Sequence, residues 1–490
     1  MVARSPLAGL LLALIAALSS AGAAGGLSPL AAQEATAEPI SYFRSVLPIL
    51  QEHCHGCHQP AKSEGAFVMT EFERLVAGGE SGEAAIVSGE PERSRLVAVI
   101  TPHDGAAEMP PERPPLGDDQ RRLIADWIAA GAIDDTPASN KVAYDAEHPP
   151  IYGAAPVVTS LAFSPDGAWL AVSGYHEVLM FAVERAADGG EPRVVPTVAR
   201  RLIGRSERIE AIAFSPDGTR LAVAGGSPGR FGELQIWETA SGTLTLSKSI
   251  GFDTLYGASW SPDGMLVAIG CPDNSIRGFD PQDGTQKLFC GAHEDWVLDT
   301  VFSTAGDHVI SVSRDRSMKL VNVPTQRFID NLTSITPGAL KGGLEGVDRH
   351  PKRDELLCGG ADGVPKLYKM VREMQRRIGD DYNLIRAYPA IEGRISDITF
   401  DASGDRIALC SSLDGRGRWR IDRTDDATTL VDVAVPESAL YAIAFTPDGS
   451  LVATAGFDGR VRIYRASDGT PIVDFPARPA DPAAAEASTP

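Results

Sequence analysis

The chain has 490 residues, 43% hydrophobic and 22% charged, with a formal net charge of -20 at pH 7. That length exceeds one ordinary core, so at least two domains are expected, and the composition is that of a globular protein. The acidic balance argues against binding nucleic acid or an anionic membrane surface, and favours partners that present basic residues.

Residues 1–32 read as an export signal. Arg4 supplies the positive start, Leu7 to Leu18 carries no polar side chain, and Ala21-Gly22-Ala23 fits an A-x-A cleavage site. Cleavage after Ala32 competes, because Gln33 begins a polar stretch. The apolar run is short for a transmembrane helix, so no membrane span is expected in the mature chain, with an uncleaved anchor as the alternative. A periplasmic or other extracytoplasmic location is expected.

A first domain is expected over 39–136. Phe43, Val46, Leu47 and Leu50 fall at i, i+3, i+4 and i+7, an amphipathic helix with Ser41 as N-cap. The helix leads into Cys54-His55-Gly56-Cys57-His58. Two thiols three residues apart, followed by an imidazole, form the attachment pattern of a c-type haem. Each thiol can add to one vinyl group, which places the histidine nitrogen under the iron. A zinc half-site would need a second Cys pair of like spacing, which Cys271, Cys290, Cys358 and Cys410 do not form. A redox dithiol does not require His58. A glycine-rich loop region follows, then an apolar run from Leu96 to Ile100. The closing helix starts at Gly117 or Asp118, presents Leu123, Ile124, Trp127 and Ile128, and ends at Gly131. For the sixth iron ligand, Met109 in Glu108-Met109-Pro110-Pro111 is the first candidate, since a Met/His pair is the usual electron-transfer ligation. His103 and His53 are rivals, and His55 lies within the attachment loop.

The run from Phe43 to Leu50, the Cys54–His58 motif, Met109-Pro110-Pro111, Pro114-Pro115-Leu116 and Trp127 to Gly131 together resemble the planctomycete-type cytochrome c domain. The resemblance implies a small all-α cytochrome c fold with one covalent haem c held by Cys54 and Cys57. It makes His58 the proximal iron ligand and, by motif position, Met109 the distal one.

Residues 137–156 lose periodicity and carry Pro137, Pro149 and Pro150, an interdomain linker. From 157 to 476 the chain repeats. Ala162-Phe163-Ser164-Pro165-Asp166-Gly167 recurs at Ala213 to Gly218, Ser259 to Gly264 and Ala444 to Gly449, with weaker copies between. Anchors at 163, 214, 260, 302, 350, 400 and 445 lie 42 to 51 residues apart. Such a period predicts an all-β propeller with one four-stranded blade per unit, seven in number, or six if the unit around His350 is not a blade. The units resemble WD repeats: Gly291-Ala292-His293 approximates the glycine–histidine start, and Asp273, Asp315, Asp362, Asp414 and Asp458 take the tight-turn aspartate position. His176 stands there in the first unit, and Trp237-Glu238 is the nearest copy of the terminal dipeptide. The four later cysteines read as buried small hydrophobes, with a Cys271–Cys290 disulfide as an option. Lys366, Lys369, Arg372, Arg376 and Arg377 suggest a basic insertion with a short helix, and 477–490 an Ala/Pro-rich disordered tail.

The expected function is that of an exported monohaem c-type cytochrome in one-electron transfer. Its propeller is expected to act as a docking scaffold for a redox protein partner. A second reading makes it an oxidoreductase whose propeller holds a substrate or second cofactor. The propeller histidines His176, His293, His308 and His350 form no convergent catalytic set in the sequence, so no catalytic residue is assigned.

Overall fold

The computed structural model describes residues 39–59, 62–111, 113–136, 144–185, 190–334, 341–375, 377 and 381–479. The expected export signal (1–32), the first part of the expected linker (137–143) and most of the expected tail (480–490) lie outside the described residues.

The N-terminal domain begins with a wide turn, Tyr42–Val46, continuing into α1 (Leu47–His53). The Ser41 hydroxyl accepts the Arg44 N–H at 3.0 Å, as expected of an N-cap. The π-type start changes which residues face inward. Tyr42, Val46, Ile49 and Leu50 are buried, whereas Phe43 and Leu47 are only half-buried. The glycine-rich stretch contains a helix the sequence did not announce, α2 (Phe72–Ala77). Gly78 stops it with φ +93, where a Cβ would sit 2.3 Å from the Glu83 carbonyl oxygen. The Leu96–Ile100 run forms α3 (Arg95–Ile100), and α4 spans Asp118–Ala129. Trp127 of α4 stacks on Tyr42 at 5.2 Å, Phe72 meets Tyr42 edge-on at 5.0 Å, and the indole N–H donates to the Ile133 carbonyl at 3.1 Å. These aromatics join α1, α2 and α4 into one core.

The remaining described chain builds seven four-stranded antiparallel sheets, each from four consecutive strands. The first blade is Leu161–Phe163, Trp169–Ser173, Glu177–Glu184 and Arg193–Ile203. The last is Leu440–Phe445, Leu451–Gly456, Arg460–Arg465 and Pro471–Pro476. The unit around His350 is a blade, Leu344–Arg349 through Leu384–Ala387, which decides for seven over six. The repeated Ser-Pro-Asp-Gly works as a self-contained turn. In the first blade the Ser164 hydroxyl donates to Asp166 at 2.5 Å, the carboxylate accepts the Ala168 N–H at 3.0 Å, and Gly167 takes φ +69.

Among the described residues, no strand from one end of the chain completes a blade at the other. The ring closes by packing instead. Val158, Leu170 and Phe181 share a core with Ala453, Val461 and Phe475, and the Phe181 and Phe475 rings lie 5.0 Å apart. The linker's second half is fastened to the first blade. Buried Glu177 holds Arg201 at 2.5 and 2.7 Å and accepts the Tyr152 hydroxyl, while Arg201 donates to the Pro150 carbonyl at 2.7 Å.

The four later cysteines are buried, as expected, and the disulfide option is not taken, while the helix expected in the basic insertion is corrected. Cys271 and Cys290 are both free thiols. Cys271 sits in a hairpin turn, its N–H on the Ser275 carbonyl, and Cys290 ends an outer strand opposite Ile276. The basic insertion is not a helix where it is described: Lys366–Lys369 is a strand, and Arg376 lies outside the described residues. Its charges are engaged locally, Lys366 by Asp362 and Arg372 by Asp330 at 3.1 Å beneath the Tyr382 ring.

Candidate functional site: a ligand-lined cavity in the N-terminal domain

The N-terminal domain encloses a cavity of about 580 Å³. One side is the turn that ends α1. Cys54 N–H returns to the Leu50 carbonyl at 2.8 Å, and the N–H groups of Cys57 and His58 both return to the Cys54 carbonyl at 3.1 Å. Coiling the pentapeptide this way brings both thiols and the His58 imidazole to the same cavity. The His58 carbonyl accepts the Met69 N–H at 2.9 Å, and the His58 ring lies 5.3 Å from Phe67. The loop after α3 supplies Met109, whose N–H bonds the Val99 carbonyl at 2.8 Å. Leu96, Val99, Ile100, Pro110 and Leu116 complete a largely apolar wall. Residues some fifty positions apart in the chain therefore meet at one cavity: two thiols, the His58 imidazole and the Met109 thioether, with His53 and the core methionine Met69 also on its wall.

Comparison with known families agrees with that geometry. Residues 54–113 match the family model described as Planctomycete cytochrome C, and 150–179, 284–322 and 433–465 match the WD domain, G-beta repeat. Residues 54–113 thus match a planctomycete-type cytochrome c domain, and they are joined to a seven-bladed propeller that carries WD-repeat matches. Several curated proteins are similar to part of this chain. Telomerase protein component 1 of Rattus norvegicus is 25% identical over 298 residues, covering 58% of this chain and 10% of that protein. The periodic tryptophan protein 2 homolog of Caenorhabditis elegans is 25% identical over 266 residues, covering 53% and 26%. An uncharacterized WD repeat-containing protein of Synechocystis is 35% identical over 113 residues, covering 22% and 28%. The chain thus spans less than a third of the length of each of these three relatives.

The cytochrome domain's cavity suits a haem c by its chemistry. An imidazole and a thioether are the nitrogen and sulfur donors that iron porphyrins accept, and an apolar wall suits the ring. Among the described residues, no group of three or more His, Cys, Asp or Glu converges as a bare-ion site would. Burial, reinforced by the Cys57 sulfur, pushes the Cys54 thiol up to about 12.

The rival ligands are placed elsewhere or engaged. His103 is exposed, bridged to Ala106, and absent from the cavity wall. His53 reaches the wall, yet its Nε2 lies 3.3 Å from the Gln120 side-chain amide. The Gln120 carbonyl oxygen accepts the Gly117 N–H at 3.1 Å, so the amide NH2 donates and His53 Nε2 accepts. His55 is buried outside the cavity wall, and burial lowers its pKa to about 4, leaving it neutral.

The WD propeller carries an axial cavity of about 750 Å³, lined by its inner strands. Three half-buried aspartates line it, and each stitches neighbouring blades. Asp299 accepts the Val347 N–H at 2.9 Å, Asp348 the Phe400 N–H at 2.7 Å, and Asp397 the Ile443 N–H at 2.9 Å. Each also accepts the N–H of its own following residue. Burial pushes Asp299 up to about 8 and Asp397 to about 7, against these bonds. Sequence reading missed this role. A spacing of three residues before Phe302 and Phe400 was the available signal for two of them. His293 is likewise structural, bonded through Nδ1 to Asp315 at 2.9 Å and through Nε2 to Ser311 at 2.7 Å.

Proposed function

We propose that the cytochrome domain carries one haem c, bound covalently through Cys54 and Cys57 with His58 and Met109 as its iron ligands. The protein then serves as a one-electron carrier. The observation that carries this reading is the convergence of those four side chains on one cavity. The haem supplies a reversible ferric–ferrous couple. The chain supplies attachment, axial ligation, and an apolar enclosure that keeps water from the ring.

The WD propeller acts as the docking scaffold, and the net charge of -20 favours a redox protein partner with a basic face. Covalent attachment and the leader-like residues 1–32 support an extracytoplasmic setting. Among the described residues no helix is long and apolar enough to cross a membrane.

The test is chemical. Full-length protein produced with its leader in a host that matures c-type cytochromes should keep one haem through denaturation and acid–organic extraction. Cys54→Ala with Cys57→Ala should abolish that haem. Full extraction from the unaltered chain would overturn the proposal.

A further inference from the structure

The cavity rim holds an arrangement that the iron ligands do not explain. A haem brings two propionates, placed on the side of the ring away from the vinyl groups that Cys54 and Cys57 would take. These carboxylates are stable only where water or a cation meets them, so charged groups on the wall other than the attachment turn are the ones to receive them.

Two residues of that wall carry a fixed positive charge, Arg95 and Arg113. Arg113 is exposed on the loop beyond Pro111. Arg95 is the first residue of α3, the helix whose Leu96, Val99 and Ile100 form the apolar wall. Its own N–H bonds the Ala84 carbonyl at 3.4 Å and the Leu96 N–H bonds Ala85 at 3.0 Å, which fixes where the side chain starts. Two carboxylates of the same cavity then aim the guanidinium: Glu83 receives Nη1 at 3.1 Å and Glu108 receives Nη2 at 3.4 Å. A guanidinium has five N–H donors, so two such bonds leave donors over for further carboxylate oxygens.

We infer that Arg95 is the propionate anchor of the haem site, with Glu83 and Glu108 as the residues that position it. This inference rests on the haem reading above and adds the subsite that orients the ring. A cation at the propionates offsets their negative charge, which otherwise favours the ferric state. Arg95 therefore raises the reduction potential, and it also holds the propionates ionised to lower pH.

The experiment compares Arg95→Gln, Arg95→Lys and Glu83→Gln in the full-length haem-bearing chain, measuring covalent haem content and the midpoint potential against pH. Arg95→Gln should keep its haem and axial ligation, with a lower potential. The pH at which its potential begins to fall should move upward, because losing the cation raises the propionate pKa. Arg95→Lys should restore most of both properties, which a purely structural role for the Glu83–Arg95–Glu108 cluster would not require. Glu83→Gln removes a negative charge beside Arg95 and should raise the potential even if Arg95→Gln fails to fold. Haem-bearing Arg95→Gln with the parent's potential and pH profile would overturn the assignment, as would an unchanged potential in Glu83→Gln. A parent chain without covalent haem would instead overturn the haem reading, and this inference with it.

Discussion

Gln120 joins two parts of the cytochrome domain: its amide donates to His53 Nε2 across 3.3 Å while its carbonyl oxygen accepts the Gly117 N–H that opens α4. The imidazole best placed to replace Met109 is thereby tied to a helix cap.

Met109→Ala should therefore leave the haem attached but with an open sixth position, giving a high-spin spectrum, carbon monoxide binding and a lower potential. Adding Gln120→Ala frees His53 Nε2, and the double variant should shift toward a low-spin, bis-histidine spectrum. A bis-histidine spectrum in the single variant would show that the Gln120 bond does not hold His53 back.

The aspartates that stitch the blades predict a pH effect on stability. Asp397 has its folded-state pKa raised to about 7, so the folded chain holds a proton there that the unfolded chain gives up above about 4. The contribution is fully present below the unfolded value and is lost as pH rises through about 7. Asp397→Asn imitates the protonated form, so thermal unfolding should show the variant losing less stability than the parent between about pH 5 and pH 8. Parallel Tm curves would contradict the raised pKa.

The closing seam should be the propeller's sensitive joint. Phe475 is 4% exposed and packs against Phe181, so Phe475→Ala should destabilise by about 3 kcal/mol through lost burial and a cavity. Arg465 reaches across the same seam to Glu191 at 2.7 and 3.1 Å, yet both side chains are more than a third exposed. Arg465→Ala should cost far less than Phe475→Ala, because solvent screens the pair. Denaturant melts of the two variants give the comparison, and equal losses would place the seam's strength in its charges.

What could be read from the sequence was what is local. The haem motif sits within one turn, the Ser-Pro-Asp-Gly hairpins close on themselves, and both announce their chemistry within six residues. The iron-ligand candidates were legible for the same reason, while their meeting at one cavity was not. Tyr42 was overlooked because the wide Tyr42–Val46 turn departs from the 3.6-residue period that pointed to Phe43. α2 was hidden by its length of six residues among glycines. The Arg372 ion pair was not legible within the basic insertion because its partner, Asp330, is 42 positions away. The blade-stitching aspartates escaped for a related reason, since their acceptors' partners belong to the next blade.

A ring whose every blade is made of contiguous chain has no privileged starting point. Val158 donates to the Gly456 carbonyl at 3.0 Å and Ala477 to Gly459 at 2.8 Å, so both ends of the propeller come to the same turn of the last blade. Joining those ends and opening the chain at another inter-blade loop would leave each sheet intact and merely move the seam. For the same reason, a blade can be completed as soon as its fourth strand has been synthesised, without waiting for a strand from the far terminus. The order of assembly is thus free to follow the order of synthesis, with the cytochrome domain first and ring closure last.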